Sequence, residues 1–179
     1  MERNSTSEFW VLLHSKDPMA VVVYQDLSHQ QDLIDLLSLL KPKERSLIIA
    51  DNLDSALKNL DDIVIVIASA EPTAVQELDG RREAFMERTA PAVLFLQAGG
   101  EAIKLLQQSY SLFSWIRGNR LIDPNELDSI NETEAGADFL QKSGGLSPKE
   151  WLEKWRAGSV PDTQENAFIL HCALMLENE

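Results

Sequence analysis

The stretch from Ile63 to Ala70 (IVIVIASA) is a nearly unbroken apolar run, eight residues long, and several similar runs recur through the first two thirds of the sequence. Eight residues is strand length and far too short to cross a membrane as a helix. Phe9 to Leu13, Ala20 to Gln25, Ser46 to Asp51, Ile63 to Ser69 and Ala92 to Gln97 are the candidate strands. A strand with one wet face alternates apolar and polar residues. A continuously apolar strand is buried on both faces, as in a parallel sheet. Helices must therefore cover both faces, and Gln30 to Leu40, Leu53 to Leu60, Ala74 to Arg88 and Glu101 to Ile116 have the required patterning. Ser28 with Gln31 and Thr73 with Gln76 fit capping boxes at two of the starts. The expected fold class is α/β, a three-layer, open, mostly parallel sheet built from right-handed crossovers. Only Ser15 to Met19 separates the first two runs, too few residues for a parallel crossover, so an antiparallel edge hairpin is expected there.

Beyond Arg120 the character changes. Residues 121–179 carry 12 acids and 4 bases and no strand-like run. Three helix starts are legible, at Asp123-Pro124-Asn125-Glu126, Ser147-Pro148-Lys149-Glu150 and Asp162-Thr163-Gln164-Glu165. The first two put proline in the first helical position and an acid in the first turn, where the helix dipole favours it. The chain thus reads as an α/β domain over 1–120 followed by an acidic helical extension over 121–179, with Gln141 to Gly145 as a hinge candidate.

A net charge of −13 argues against a phosphate backbone or an anionic membrane as the main partner. Cys172 is the single cysteine and the three histidines are scattered, so neither a disulfide framework nor a metal site is expected. The polar start, Met1 to Glu8, resembles no signal peptide, and the expectation is a soluble cytoplasmic protein. A phosphate-cradling loop requires glycines that let backbone N–H groups approach, with a lysine for the outer phosphates. The pairs Gly99-Gly100 and Gly144-Gly145 lack that context, and the first is expected to be a tight turn. Asp26 and Asp51 end predicted strands, where open α/β sheets place ligand groups, and Ser69 ends a third. Helix capping is the expected role of the two aspartates, with phosphotransfer or metal binding as the alternative. His171 and Cys172 are adjacent and so point about 100° apart on a helix, and Cys172 is expected to be buried structure. Arg81, Arg82 and Arg88 form the densest basic patch. They are expected to be a solvated face among Asp79, Glu83 and Glu87, with anion reading by Arg81 and Arg82 as the alternative.

The segment Leu78 to Gly118 resembles part of the nucleotide-binding domain of bacterial STAND-type P-loop ATPases, proteins of signalling and defence. The resemblance rests on Leu78, Arg81, Arg82, Glu83, Pro91, the strand Val93 to Gln97 and the aromatic segment Ser111-Leu112-Phe113-Ser114-Trp115-Ile116-Arg117. It covers about forty residues. Walker A is missing, and the strand in the Walker B position ends in Ser69-Ala70-Glu71 rather than a paired acid. Phosphoryl transfer depends on that lysine and Mg²⁺ carboxylate for positioning and charge neutralisation. The resemblance therefore implies a degenerate P-loop-like fold without NTPase chemistry and without a cofactor.

The expected function is a non-catalytic protein–protein interaction module, an adaptor or regulatory subunit of a bacterial signalling or defence system. Trp151 and Trp155, at i and i+4 on one helix face, and Phe168 are its candidate partner-binding residues. The surrounding acids would steer a basic protein partner. The alternative is a small enzyme or a ligand- or nucleotide-binding domain that uses a strand-end crevice around Asp26, Asp51 and Ser69.

Overall fold

Four of the five expected strands form, all parallel. The computed structural model describes residues 5–50, 52–67, 72–109, 112, 116, 121–122 and 131–177. In it β1 (Met19–Tyr24), β2 (Leu47–Ala50), β3 (Ile63–Ile67) and β4 (Ala92–Gln97) are joined by a two-residue strand, β5 (Leu121–Ile122), in the order β2-β3-β4-β1-β5. Every residue of β1 is buried, as is β4 except for its last residue, which is why these runs are apolar at every position. The register sets Val21 beside Leu94 and Leu94 beside Val66.

The expected antiparallel hairpin is not there among the described residues. Phe9 to Leu13 belongs instead to a helix, α1 (Ser5–His14). Phe9, Leu12 and Leu13 stand at i, i+3 and i+4, one helical stripe, and all three are buried. The short link, Ser15 to Pro18, thus joins a helix to a strand, and Ser15 closes it by donating its Oγ to Leu12 O and accepting from Asp17 N. A second departure is β5. It pairs with β1 in a region expected to be purely helical, and two residues are too few to leave a strand pattern.

The helices α2 (Leu27–Leu40), α3 (Leu53–Lys58), α4 (Pro72–Phe85) and α5 (Glu101–Gln108) connect the strands. Leu53 and Ala56 of α3, Val75, Leu78 and Phe85 of α4 and Leu106 of α5 share one buried cluster with Met19, Val21, Val64, Val66, Leu94 and Leu96. α2 packs on β1 and is outside that cluster. Crossover handedness explains the split. β1 to β2 runs one way along the sheet and β2 to β3 to β4 runs back, so right-handed connections put α2 and α3–α4 on opposite faces.

The sequence places a boundary after residue 120. The compact units are Leu12–Pro124, which holds the sheet, and Met1–Val11 together with Asn125–Glu179, which is helical. Within the helical unit, α6 (Glu132–Lys142), α7 (Pro148–Arg156) and α8 (Gln164–Glu177) follow one another, and α8 packs against both α6 and α7. The expected α7 start forms a full capping box between Ser147 and Glu150, with proline in the first turn. α6 starts on a second such box, Asn131 with Glu134, which the sequence reading missed. The predicted start at Asp123 to Glu126 lies outside the described residues. Among the described residues no helix is long and apolar enough to cross a membrane.

Candidate functional site

Among the described residues two places could hold function, one in each unit. In the sheet unit it is the carboxyl end of adjacent β1 and β4, where the chain leaves toward opposite faces and open α/β sheets admit ligands. Here the two strand ends are tied to each other. Ala98 N donates to Tyr24 O (2.7 Å) and Gln97 Nε2 donates to Gln25 O (3.2 Å). The turn from β1 into α2 has just two residues, Gln25 and Asp26. Asp26 is the N-cap of α2, its carboxylate accepting from His29 N at 2.9 Å. Ser28 therefore lies inside the first turn of α2 and is not the cap expected of it. A helix N-terminus that already holds a carboxylate disfavours a second anion, a phosphate included. Gln25 N in turn donates to His29 Nδ1 (3.0 Å), which leaves the hydrogen of that ring on Nε2.

The turn after β4 is equally compact. Gly100 N donates to Gln97 O at 3.2 Å, and Gly99 has φ +69°, a conformation glycine adopts without strain at the third position of such a turn. A Cβ on Gly100 would stand 3.0 Å from Gln97 O. One helical turn beyond Asp26, the side-chain amide of Gln30 is buried and its Nε2 has no hydrogen-bond partner. Asp51 and Ser69, the other two residues expected at this crevice, lie outside the described residues, as do Trp115 and most of the aromatic segment around it.

Arg81 and Arg82 each face an acid of the same unit. Arg81 Nη2 reaches Asp54 Oδ1 at 2.7 Å, linking α4 to α3, and Arg82 Nη1 lies 3.8 Å from Asp79 Oδ1. Exposed pairs of this kind contribute about 0.2–1 kcal/mol each. Arg88 is different in kind. It is 5% exposed and donates to three backbone carbonyls, those of Ala56, Asp62 (2.6 Å) and Ala90 (3.0 Å). The third member of the expected solvated patch is thus a buried structural group.

In the helical unit, Trp151 and Trp155 do share one face of α7, as their spacing requires. That face is buried. The two indoles are 3% and 9% exposed and stack at 5.6 Å with planes 15° apart. They are removed from solvent and act as core, which corrects their assignment to a partner-facing stripe. Phe168 is only half-buried, and it lines a half-open groove of about 670 Å³. Glu134, Ala137, Asp138 and Lys142 line the groove from α6, where a spacing of three to four residues aligns them on one side. Gln164, Glu165 and Phe168 line it from α8, and Ser7 from α1. Three of the four charged lining residues are acids. The fourth, Lys142, holds its Nζ 5.2 Å from the centre of the Phe168 ring. The sequence singles out only Phe168 of this groove, because the other linings come from three separate segments, around residues 7, 134–142 and 164–165, whose juxtaposition no local pattern records.

Burial shifts two titratable groups of the same unit. Cys172 is buried, and loss of solvation pushes its thiol up to about 11. His171 bonds Thr6 Oγ1 through Nδ1 (3.0 Å), and burial holds its pKa below the usual histidine range. Among the described residues no group of three or more His, Cys, Asp or Glu side chains could hold a metal ion. None of the protein-family models, curated proteins or solved structures compared with this chain matches it.

Proposed function

We propose that the chain is a non-catalytic protein–protein interaction module that binds a basic partner through the groove beside Phe168. One observation carries the reading: a half-open groove with an aromatic wall is rimmed by Glu134, Asp138 and Glu165, and the cation it contacts sits on the aromatic ring. An acidic rim steers and selects a positively charged segment, and the ring offers it a desolvated face. The non-catalytic part of the proposal is supported by the β1–α2 junction, where Asp26 caps the helix that a phosphate would need. A role as adaptor or regulatory subunit in bacterial signalling or defence, on a degenerate P-loop-like scaffold, rests on the resemblance of residues 78–118 alone.

The test has two arms run on the full chain. Short arginine-containing peptides should bind, more weakly as salt rises, and more weakly again in Phe168→Leu. ATP or GTP with Mg²⁺ should leave the melting temperature unchanged, since only a specific binder shifts stability by mass action. A nucleotide-dependent rise that vanishes in Asp26→Asn would overturn the reading. A second reading, a small-ligand site at the strand ends, draws on one observation, the buried Gln30 amide without a hydrogen-bond partner. A metabolite that raises the melting temperature of the native chain but not of Gln30→Leu would favour it.

A further inference from the structure

We infer that Lys142 is a built-in competitor for the groove, occupying the place that an arginine side chain of the partner takes on binding. The inference rests on the docking reading above and adds its regulation and the residue it reads. Lys142 is the last residue of α6, and its Nζ lies 5.2 Å from the Phe168 centroid. A cation over a ring face is held by the ring quadrupole, and Glu134, Asp138 and Glu165 line the same groove. The free protein therefore already contains an aromatic wall, carboxylates lining the same groove and a cation over the ring. Lys142 is exposed, on a flexible four-carbon stem, so it can leave the ring without disturbing α6.

Arginine is the side chain best suited to replace it. A guanidinium stacks flat on an aromatic ring while its edge donates two parallel bonds to a carboxylate, and an ammonium cannot do both. The groove is half-open, which suits a side chain presented by a peptide backbone rather than a small cation enclosed on all sides. Because Lys142 and the incoming arginine exclude each other, the apparent affinity is reduced by the fraction of time that Lys142 covers the ring. Removing Lys142 should therefore tighten binding, and by more than the loss of one positive charge accounts for.

The experiment measures peptide affinity by fluorescence anisotropy on the full chain. The probe is a capped nonapeptide alternating alanine, leucine and arginine, with a twin in which citrulline replaces arginine. Lys142→Gln should tighten the arginine peptide about fivefold. Lys154→Gln, the same charge change on the exposed side of α7, should alter it by less than about twofold. The gain should vanish in the Phe168→Leu background, because without the ring there is nothing to uncover. The citrulline twin should bind no variant. Equal gains from Lys142→Gln and Lys154→Gln would overturn the competitor while leaving the groove as the binding site. Binding that ignores Phe168→Leu and the Glu134→Gln, Asp138→Asn pair would overturn the docking reading itself. Equal competition by free arginine amide would make the ligand a small cation and overturn the partner-chain assignment.

Discussion

Replacing Arg88 by methionine keeps much of its volume and removes all its donors. The guanidinium closes three carbonyls at the amino-terminal edge of the sheet: Ala56 in the last turn of α3, Asp62 just before β3 and Ala90 just before β4. The last carbonyls of a helix have no partner within it, and a cation there is further favoured by the dipole. Burial lowers the Arg88 pKa to about 10, the nearby Asp62 and Asp61 opposing that shift, so the group stays charged at neutral pH. A hydrogen bond to a charged donor contributes about 1.5–3 kcal/mol, and a buried acceptor left bare costs about 1–3 kcal/mol. Three such bonds set a gross loss well above 4 kcal/mol. Relief from desolvating the guanidinium, and water reaching the less buried Asp62 carbonyl, offset part of it. The expected net cost of Arg88→Met is about 3 kcal/mol. Arg88→Lys should lose about 2 kcal/mol, because one ammonium cannot span three divergent carbonyls. Urea unfolding followed by far-UV circular dichroism measures both, and a slope of about 2 kcal/mol/M turns the larger loss into a midpoint shift of about 1.5 M. If both variants unfold within about 0.5 kcal/mol of the native chain, the clamp contributes nothing and the reasoning fails.

Three further predictions use the same measurements. Trp151→Ala and Trp155→Ala should each cost about 3–5 kcal/mol as buried aromatic truncations, and an unchanged melting point in either would return the indoles to the surface. Asp26→Ala should cost about 1 kcal/mol through loss of the α2 cap, read as a shift of about 2–4 °C in melting temperature, whereas Arg81→Ala should stay within about 0.5 kcal/mol. His171, held below its ordinary pKa by burial, favours folding in its neutral form, so its stabilisation is complete above about pH 6.5 and declines as pH falls below that value. His171→Gln should flatten that part of the stability profile, and a profile identical to that of the native chain would exclude the histidine as its source.

The strands were legible where burial on both faces left no alternative pattern. β4 forms over Ala92–Gln97, the span expected, and β1, β2 and β3 lie within a residue or two of theirs. The same logic failed at Phe9 to Leu13, since five apolar residues satisfy a buried strand and a buried helix equally, and only packing decides between them. Capping chemistry was read correctly at Ser147, where proline and glutamate reinforce the signal. At Ser28 the better acceptor two residues earlier, Asp26, took the cap. The i, i+4 tryptophans fixed a face but not what covers it. Arg88 looked like surface because charge in a sequence says nothing about which carbonyls the fold will leave bare. The groove was invisible apart from Phe168, because it exists only once segments near residues 7, 138 and 166 are brought together.

That joining has a consequence for how the chain acquires its shape. The helical unit is assembled from the first eleven residues and the last 55, with the whole sheet unit inserted between them in chain order. Its Thr6 to His171 hydrogen bond spans 165 positions. A ribosome releases the sheet unit complete while α1 still lacks its C-terminal partners, and domains generally fold as units as they emerge. Folding of the sheet unit shortens the flexible chain between the two parts of the helical unit, which lowers the entropy cost of bringing them together when α8 arrives. The order of events is thereby set by topology: damage to the sheet unit, at Arg88 for example, should delay the helical unit even though it removes none of its contacts.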